Sequence, residues 1–82
     1  MDKQRELQIK LNTFADVKAF VTTVCKFDFN VDLIASARRF VVDAKSIMGV
    51  LSLDLSRILN VEFFATDEEM VNFSNAIAVW IV

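Results

Sequence analysis

Few residues of this 82-residue chain could perform catalysis, and the side chain most used in acid–base chemistry is missing. The sequence contains no histidine, which excludes Ser-His-Asp and Cys-His catalytic arrangements. A glycine-rich phosphate loop is also excluded, because Gly49 is the only glycine. We therefore expect a protein that is not an enzyme and that uses no cofactor.

The remaining candidates do not indicate thiol or metal chemistry. Cys25 is the only cysteine and lies among apolar and small residues without a neighbouring cation cluster, so we expect a half-buried packing residue and not a reactive thiol. Asp28, Asn30 and Asp32 alternate as ligands do in calcium loops, but the central glycine and distal glutamate are missing. We interpret the three as a solvated strand face and expect no metal site.

Composition limits the class of partner. Nine basic residues face eleven acidic ones, and only Arg38-Arg39 are adjacent, so direct nucleic-acid binding is not expected. Residues 1–6 lack the apolar run of a secretory signal, and the apolar residues 76–82 are too few to span a membrane. We expect a cytoplasmic single domain over residues 1–82, a monomer or weak homodimer whose partner is a protein.

Periodicity in the first half predicts a strand, a helix and a strand hairpin. Alternating apolar residues predict a first strand over Glu6–Asn12. Thr13 and Asp16 are spaced like a capping box, which predicts a helix from Phe14 to Lys26. Two further alternating segments predict strands joined through a turn at 35–37: Phe27–Leu33 and Arg39–Ala44.

Ser46 begins a short segment with the apolar spacing of two helical turns. Serine is a favoured N-cap, so a short helix is predicted from Ser46 to Leu53. Gly49 lies inside it although glycine costs about 1 kcal/mol in a helix interior, and we attribute it to close packing.

The last third completes an alternation of strands and helices. A fourth strand is predicted over Asn60–Ala65. Thr66 and Glu69 form a second capping box, and the helix that follows is expected to extend over the apolar residues up to Val82. The order β-α-β-β-α-β-α predicts an α+β fold, with a four-stranded antiparallel sheet carrying three helices on one face.

One segment is specific enough to suggest a family. Asp43–Leu53 closely resembles the regulatory-serine region of HPr, the phosphocarrier of the bacterial sugar phosphotransferase system, at Lys45-Ser46-Ile47-Met48-Gly49-Val50. Cys25–Leu33 resembles the family's approach to its second strand, and the resemblance covers about residues 6–80. It implies the HPr fold, an open-faced β-sandwich with the element order predicted above.

The resemblance fails where the family carries its phosphoryl group. Thr13 stands at the position of the family's histidine, Ala15 at its arginine and Asp16 at its proline. The Thr13 hydroxyl has no adjacent base to activate it, so we expect no phosphocarrier reaction. The helix start would still offer amides to an anion, in competition with Asp16. The chain is thus comparable to Crh, an HPr-like regulator that lacks the histidine.

The resemblance implies a regulatory site at Ser46. In many HPr proteins this serine is phosphorylated by a kinase. The resemblance therefore implies a serine kinase or a transcription regulator as the protein partner of this chain. Ile47, Met48 and Leu51 match the family's exposed apolar patch and are predicted to bind a partner protein. The competing interpretations make Ser46 only an N-cap and the patch part of the core.

Two other classes of function remain at this point. A structural interaction module, without phosphorylation, would use Met48 or the face of the sheet that holds Val41 and Phe64. An enzyme would need a concave pocket with perturbed ionisable groups, and nothing in the sequence points to one.

Overall fold

The computed structural model describes residues 2–35 and 40–82. Its four strands form one antiparallel sheet in which the first strand lies beside the fourth, the fourth beside the second and the second beside the third, and the fold is α+β, as predicted. Ser36 and Ala37 of the predicted turn, and the pair Arg38-Arg39, lie outside the described residues. The elements are β1 Lys3–Ile9, α1 Phe14–Val24, β2 Val31–Ala35, β3 Phe40–Asp43, α2 Ile47–Leu51, β4 Leu59–Ala65, α3 Asp67–Ala76 and a 3₁₀ turn Ala78–Trp80.

Strand β4 fixes which side chains face the helices. It pairs with β1 along its whole length and with β2 from Asn60 to Phe63. Because side chains alternate along a strand, Val61 and Phe63 are buried beneath the helices while Phe64 is exposed on the opposite face. The sheet therefore has one covered face and one open face.

An aromatic cluster forms one end of the core. The fully buried ring of Phe73, on α3, lies 5.0 Å from Phe27, 5.5 Å from Phe29 and 4.6 Å from Phe63 between ring centroids. Tilted and edge-to-face contacts at these distances are favourable for aromatic rings. Phe73 thus joins the last helix, the central strand and the segment before β2.

The prediction that the second strand begins at Phe27 was wrong. Residues 25–26 form a turn and residues 27–29 a bend, and β2 begins at Val31. Phe27 and Phe29 both pack against Phe73, while the polar residues between and after them face away. This produces the alternation of a strand without a strand. Asp28 and Asn30 are exposed, but they do not lie on a strand face as expected.

The first strand was predicted three residues too late. It spans Lys3–Ile9, and Leu11, assigned to it from the sequence, is fully buried beyond its end. The first helix ends at Val24, two residues before the predicted Lys26. The first difference reflects burial of the apolar Leu11 in a connecting segment, which sequence alternation cannot distinguish from regular structure.

The last helix does not extend to Val82 as predicted. It ends at Ala76, and the chain continues through the 3₁₀ turn to run beside β1. Ile81 bridges Ile9, the amide of Lys10 donates to the Trp80 carbonyl at 2.9 Å, and the amide of Val82 donates to the Gln8 carbonyl at 3.0 Å. Docking explains the apolar character of Ile77, Trp80 and Ile81, which pack in or against the core, whereas Val79 and Val82 are exposed.

The expectation for Cys25 also needs correction. Its side chain is exposed at the C-cap of α1, and its Sγ lies 3.7 Å from the Lys45 carbonyl oxygen, a weak contact at most. No helix among the described residues is long and apolar enough to cross a membrane. The described ranges also hold no group of three or more potential metal ligands.

Candidate functional site

Side chains at the start of α1 bind the backbone amides there. The Thr13 Oγ1 accepts a hydrogen bond from the Asp16 amide at 3.1 Å, and Asp16 Oδ2 accepts one from the Thr13 amide at 3.2 Å, which completes the predicted capping box. The same Oδ2 accepts a bond from the Asn12 amide at 3.0 Å. These side chains stand where the sequence predicted that the family's histidine would lie.

Trp80 holds Asp16 from the other end of the chain. Its Nε1 donates to Asp16 Oδ1 at 3.4 Å, and its ring stacks edge-to-face on Phe20 of α1, with centroids 5.6 Å apart. Sequence reasoning did not assign Trp80 to the site. The two residues are 64 positions apart, so no local pattern could have linked them.

These contacts keep Asp16 ionised. The Asn12 amide lowers the pKa of its carboxyl below the usual range; desolvation, the second largest cause, opposes this, and the Trp80 N–H and the Thr13 groups add to the lowering. The carboxylate therefore binds the amides of Asn12 and Thr13 just before the helix, and the Thr13 hydroxyl binds the Asp16 amide in its first turn. A phosphate approaching this helix start would meet a negative charge already in place.

The lowered pKa of Asp16 predicts a dependence of stability on pH. The ionised carboxylate contributes stability above its unfolded pKa, and this contribution is lost as the pH falls through the lower folded pKa. Asp16→Asn should therefore lower the free energy of unfolding at neutral pH and reduce the loss of stability on acidification. Urea titrations from neutral pH down to below the ordinary aspartate pKa of 3.8 measure both effects.

Asp28→Asn provides the matched control, because Asp28 is exposed and no hydrogen bond to its carboxylate is described. Its stability–pH profile should follow that of the unmodified protein. Identical profiles for Asp16→Asn and Asp28→Asn would show that the contacts at the start of α1 do not persist in solution.

Ser46 is exposed and caps α2, as predicted. Its Oγ accepts a hydrogen bond from the Gly49 amide at 3.2 Å, and its own amide donates to the Asp43 carbonyl at 3.0 Å. Lys45 places its Nζ 2.7 Å from the Phe27 carbonyl oxygen, so its charge is directed toward the turn before β2. Ser46 thus has an accessible hydroxyl oxygen at the exposed end of a short helix.

Close packing accounts for Gly49. A Cβ at this position would lie 3.3 Å from the Ser46 Oγ and 3.4 Å from the Val42 Cβ. The first distance is shorter than most Cβ contacts, so any larger residue would push against the capping hydroxyl. The glycine therefore keeps Ser46 in position to cap the helix.

Helix α2 separates exposed from buried apolar residues. Met48 is 73% exposed and Leu51 is 37% exposed, while Val50 is fully buried, as predicted. Ile47 is half-buried and packs against the core. Of the three residues of the predicted apolar patch, Met48 is thus the most exposed, Leu51 is less exposed and Ile47 is partly buried against the core.

The two sites lie on the helical layer of the molecule. Helices α1 and α2 pack together, with Thr13 at the N-terminus of the first and Ser46 at that of the second. Ala15, two residues after Thr13, is exposed. It stands at the position of the family's arginine and carries no charge. This layer thus presents a threonine–carboxylate cap, a serine cap and an apolar patch.

The element order and the antiparallel sheet define a small α+β protein with the HPr fold. The profile of the PTS-HPr family, described as "PTS HPr component phosphorylation site", matches residues 16–81. The chain belongs to the HPr family of the phosphotransferase system, whose members are carriers and not enzymes. The match begins at Asp16, after the position of Thr13.

Two solved structures support the family assignment at the level of the fold. The chain is 28% identical to HPr-C-His from Thermoanaerobacter tengcongensis, with a TM-score of 0.67 over 93% of this chain and 86% of that one. It is 22% identical to the phosphocarrier protein HPr from Bacillus anthracis str. Ames, with a TM-score of 0.63 over 99% and 98%. No curated protein sequence matches the chain.

Proposed function

We propose that this chain is a regulatory, protein-binding member of the HPr family that does not carry a phosphohistidine. The observation that carries the proposal is the start of α1, where Thr13 and Asp16 cap each other in place of a nucleophile. The chain contains no histidine, and a threonine hydroxyl without an adjacent base is a weak nucleophile. In this respect it is comparable to Crh.

The binding surface proposed for this role is the patch of Ile47, Met48 and Leu51. Met48 protrudes from a short helix whose other side is anchored by Val50, so the patch is presented on a fixed base. Methionine side chains adapt to different partner surfaces, because they are unbranched and polarisable. A partner protein would bury Met48 and Leu51 without any change in the core.

Ser46 is the proposed point of control. A phosphate on its oxygen would lie beside the Gly49 amide that already donates to Ser46 Oγ, and would add a negative charge at the edge of the patch. The charge would alter the affinity of the patch for a partner. A serine kinase is therefore the proposed modifying partner, and a transcription regulator the proposed target, within the cytoplasm.

Mass spectrometry after incubation with an HPr-serine kinase and ATP tests this role. We expect one added phosphate on the unmodified protein and none on Ser46→Ala. Thr13→Ala, which removes the hydroxyl at the other cap, is the matched control and should accept phosphate like the unmodified protein. Absence of phosphate on protein shown to be folded would contradict the proposed control by Ser46.

A structural interaction module without phosphorylation is the second candidate function. It is favoured by the exposure of Phe64 (61%) and Val41 (54%) on the open face of the sheet. Such a module would bind its partner, or itself, with the same affinity whether or not Ser46 is modified. Partner affinity measured for Ser46→Ala and Ser46→Asp therefore separates the two candidates.

A further inference from the structure

Strand β3 lies at one edge of the sheet and is paired only with β2. The Ala44 amide, just past its end, donates to the Val31 carbonyl at 2.9 Å, and the two residues lie opposite each other when the register of β2 and β3 is continued by one residue. In an antiparallel pair every second residue directs its backbone groups to the neighbouring strand. Val41 and Asp43, which alternate with Ala44, therefore direct their amides and carbonyls away from the sheet.

One of these outward groups is already bound within the chain. The Asp43 carbonyl accepts a hydrogen bond from the Ser46 amide at 3.0 Å. The described residues provide no hydrogen-bond partner on this side for the Asp43 amide, nor for the amide and the carbonyl of Val41. Unpaired backbone groups on a strand edge are a template for a strand of another chain, and here they are centred on Val41.

The side chains along this edge are apolar and uncovered. Phe40 is 56% exposed and Val41 is 54% exposed, and β3 contains none of the lysines or prolines that protect many edge strands. Strand alternation places Val41 on the open face of the sheet, and Phe40 with Val42 on the covered face. A strand added at this edge would therefore bury apolar surface on both faces.

We propose that β3 pairs with β3 of a second copy of this chain, antiparallel and about a twofold axis at Val41. The Val41 amide of each copy then donates to the Val41 carbonyl of the other, so that both free groups of this residue are satisfied. Phe40 of each copy lies opposite Val42 of the other, and the two sheets join into one continuous sheet. The pairing does not depend on the function proposed for Ser46.

The edge is complementary to itself in this register. Outward groups pair only with outward groups, so the alternatives place Val41 opposite Asp43 of the second copy, or Asp43 opposite Asp43. The latter brings two carboxylates opposite each other, which is destabilising. The former uses the Asp43 carbonyl, which the Ser46 amide already binds. Val41 opposite Val41 joins free groups only and keeps the carboxylates apart, as a symmetric interface requires.

Sedimentation equilibrium at micromolar to millimolar protein concentrations measures this dimerisation. We expect a monomer–dimer equilibrium whose dissociation constant rises about 5-fold in Val41→Lys, because two like charges then face each other across the axis. Val71→Lys is the matched control, since it changes a valine on α3 that is 56% exposed, and it should dimerise like the unmodified chain. A monomer at every concentration, or equal effects of the two substitutions, would overturn the proposal.

A mixture of two variants tests the register. Val41→Lys and Val41→Glu, each shown to be folded by circular dichroism, should dimerise weakly alone, whereas their equimolar mixture should associate more tightly than either, because opposite charges then face each other. Phe40→Ala should also weaken dimerisation, whereas Phe64→Ala, which removes a ring that is 61% exposed on the open face of β4, should not. A mixture that associates no better than its components, or a loss in Phe64→Ala alone, would overturn pairing through β3.

Discussion

Replacing Phe73 by alanine is expected to lower the free energy of unfolding by about 3–5 kcal/mol. Phe73 is fully buried and contacts three other phenylalanine rings, which come from the turn before β2 and from β4. The substitution would leave a cavity between α3 and these two elements. Among the described residues, no other aromatic ring of α3 contacts them. Total stabilities of small domains are about 5–15 kcal/mol, so the variant would be close to unfolding.

Urea denaturation followed by Trp80 fluorescence measures this loss. Phe64→Ala is the matched control, because it removes the same ring from a side chain that is 61% exposed on the open face. The control should change the free energy of unfolding by less than about 0.5 kcal/mol. Equal destabilisation of the two variants would contradict the assignment of Phe73 as the centre of the aromatic cluster.

Replacing Trp80 by alanine should have the second largest effect, a loss of about 2 kcal/mol. The value is below that for a fully buried ring, because Trp80 is only partly buried. The substitution removes the edge-to-face contact with Phe20 and the N–H that Asp16 accepts. It should therefore also reduce the lowering of the Asp16 pKa and make the pH dependence of stability shallower.

Trp80→Phe separates the two contributions. Phenylalanine keeps an aromatic ring against Phe20 but has no N–H for the carboxylate of Asp16. We expect most of the stability to remain, with a loss of about 1 kcal/mol or less from the hydrogen bond. A loss as large as that of Trp80→Ala would show that the N–H, and not the ring, fixes the segment on α1.

Local interactions made the helix starts predictable. Thr13 with Asp16, and Thr66 with Glu69, form capping boxes whose bonds join residues three positions apart. The N-cap at Ser46 follows the same logic, since its oxygen bonds the amide three residues ahead. Sequence spacing alone contains this information, because a cap depends little on the rest of the fold.

Interactions between distant segments limited the prediction elsewhere. The residues from Phe27 to Asn30 alternate between apolar and polar as in a strand. The rings of Phe27 and Phe29, however, pack against Phe73 of α3. The segment after Ala76 is apolar like a helix, yet it lies along β1. In both cases the partner that buries the side chains comes from another part of the chain, and periodicity does not identify it.

The candidate site likewise has residues that the sequence predicted and a contact that it could not predict. Ser46, Met48 and Thr13 were recognised from residue type and spacing, together with the resemblance to HPr. The interaction of Asp16 with Trp80 could not be predicted, because it depends on how the segment after α3 folds back.

The docking of residues 80–82 beside β1 limits how copies of this protein could assemble. Those residues occupy the hydrogen-bonding edge of β1 near Ile9, so at this edge of the sheet a strand from another molecule could add only along Lys3–Leu7. That stretch carries Lys3, Arg5 and Glu6, and charged side chains on an edge strand disfavour intermolecular strand addition. Exchange of β1 between two copies would first require the segment after α3 to detach.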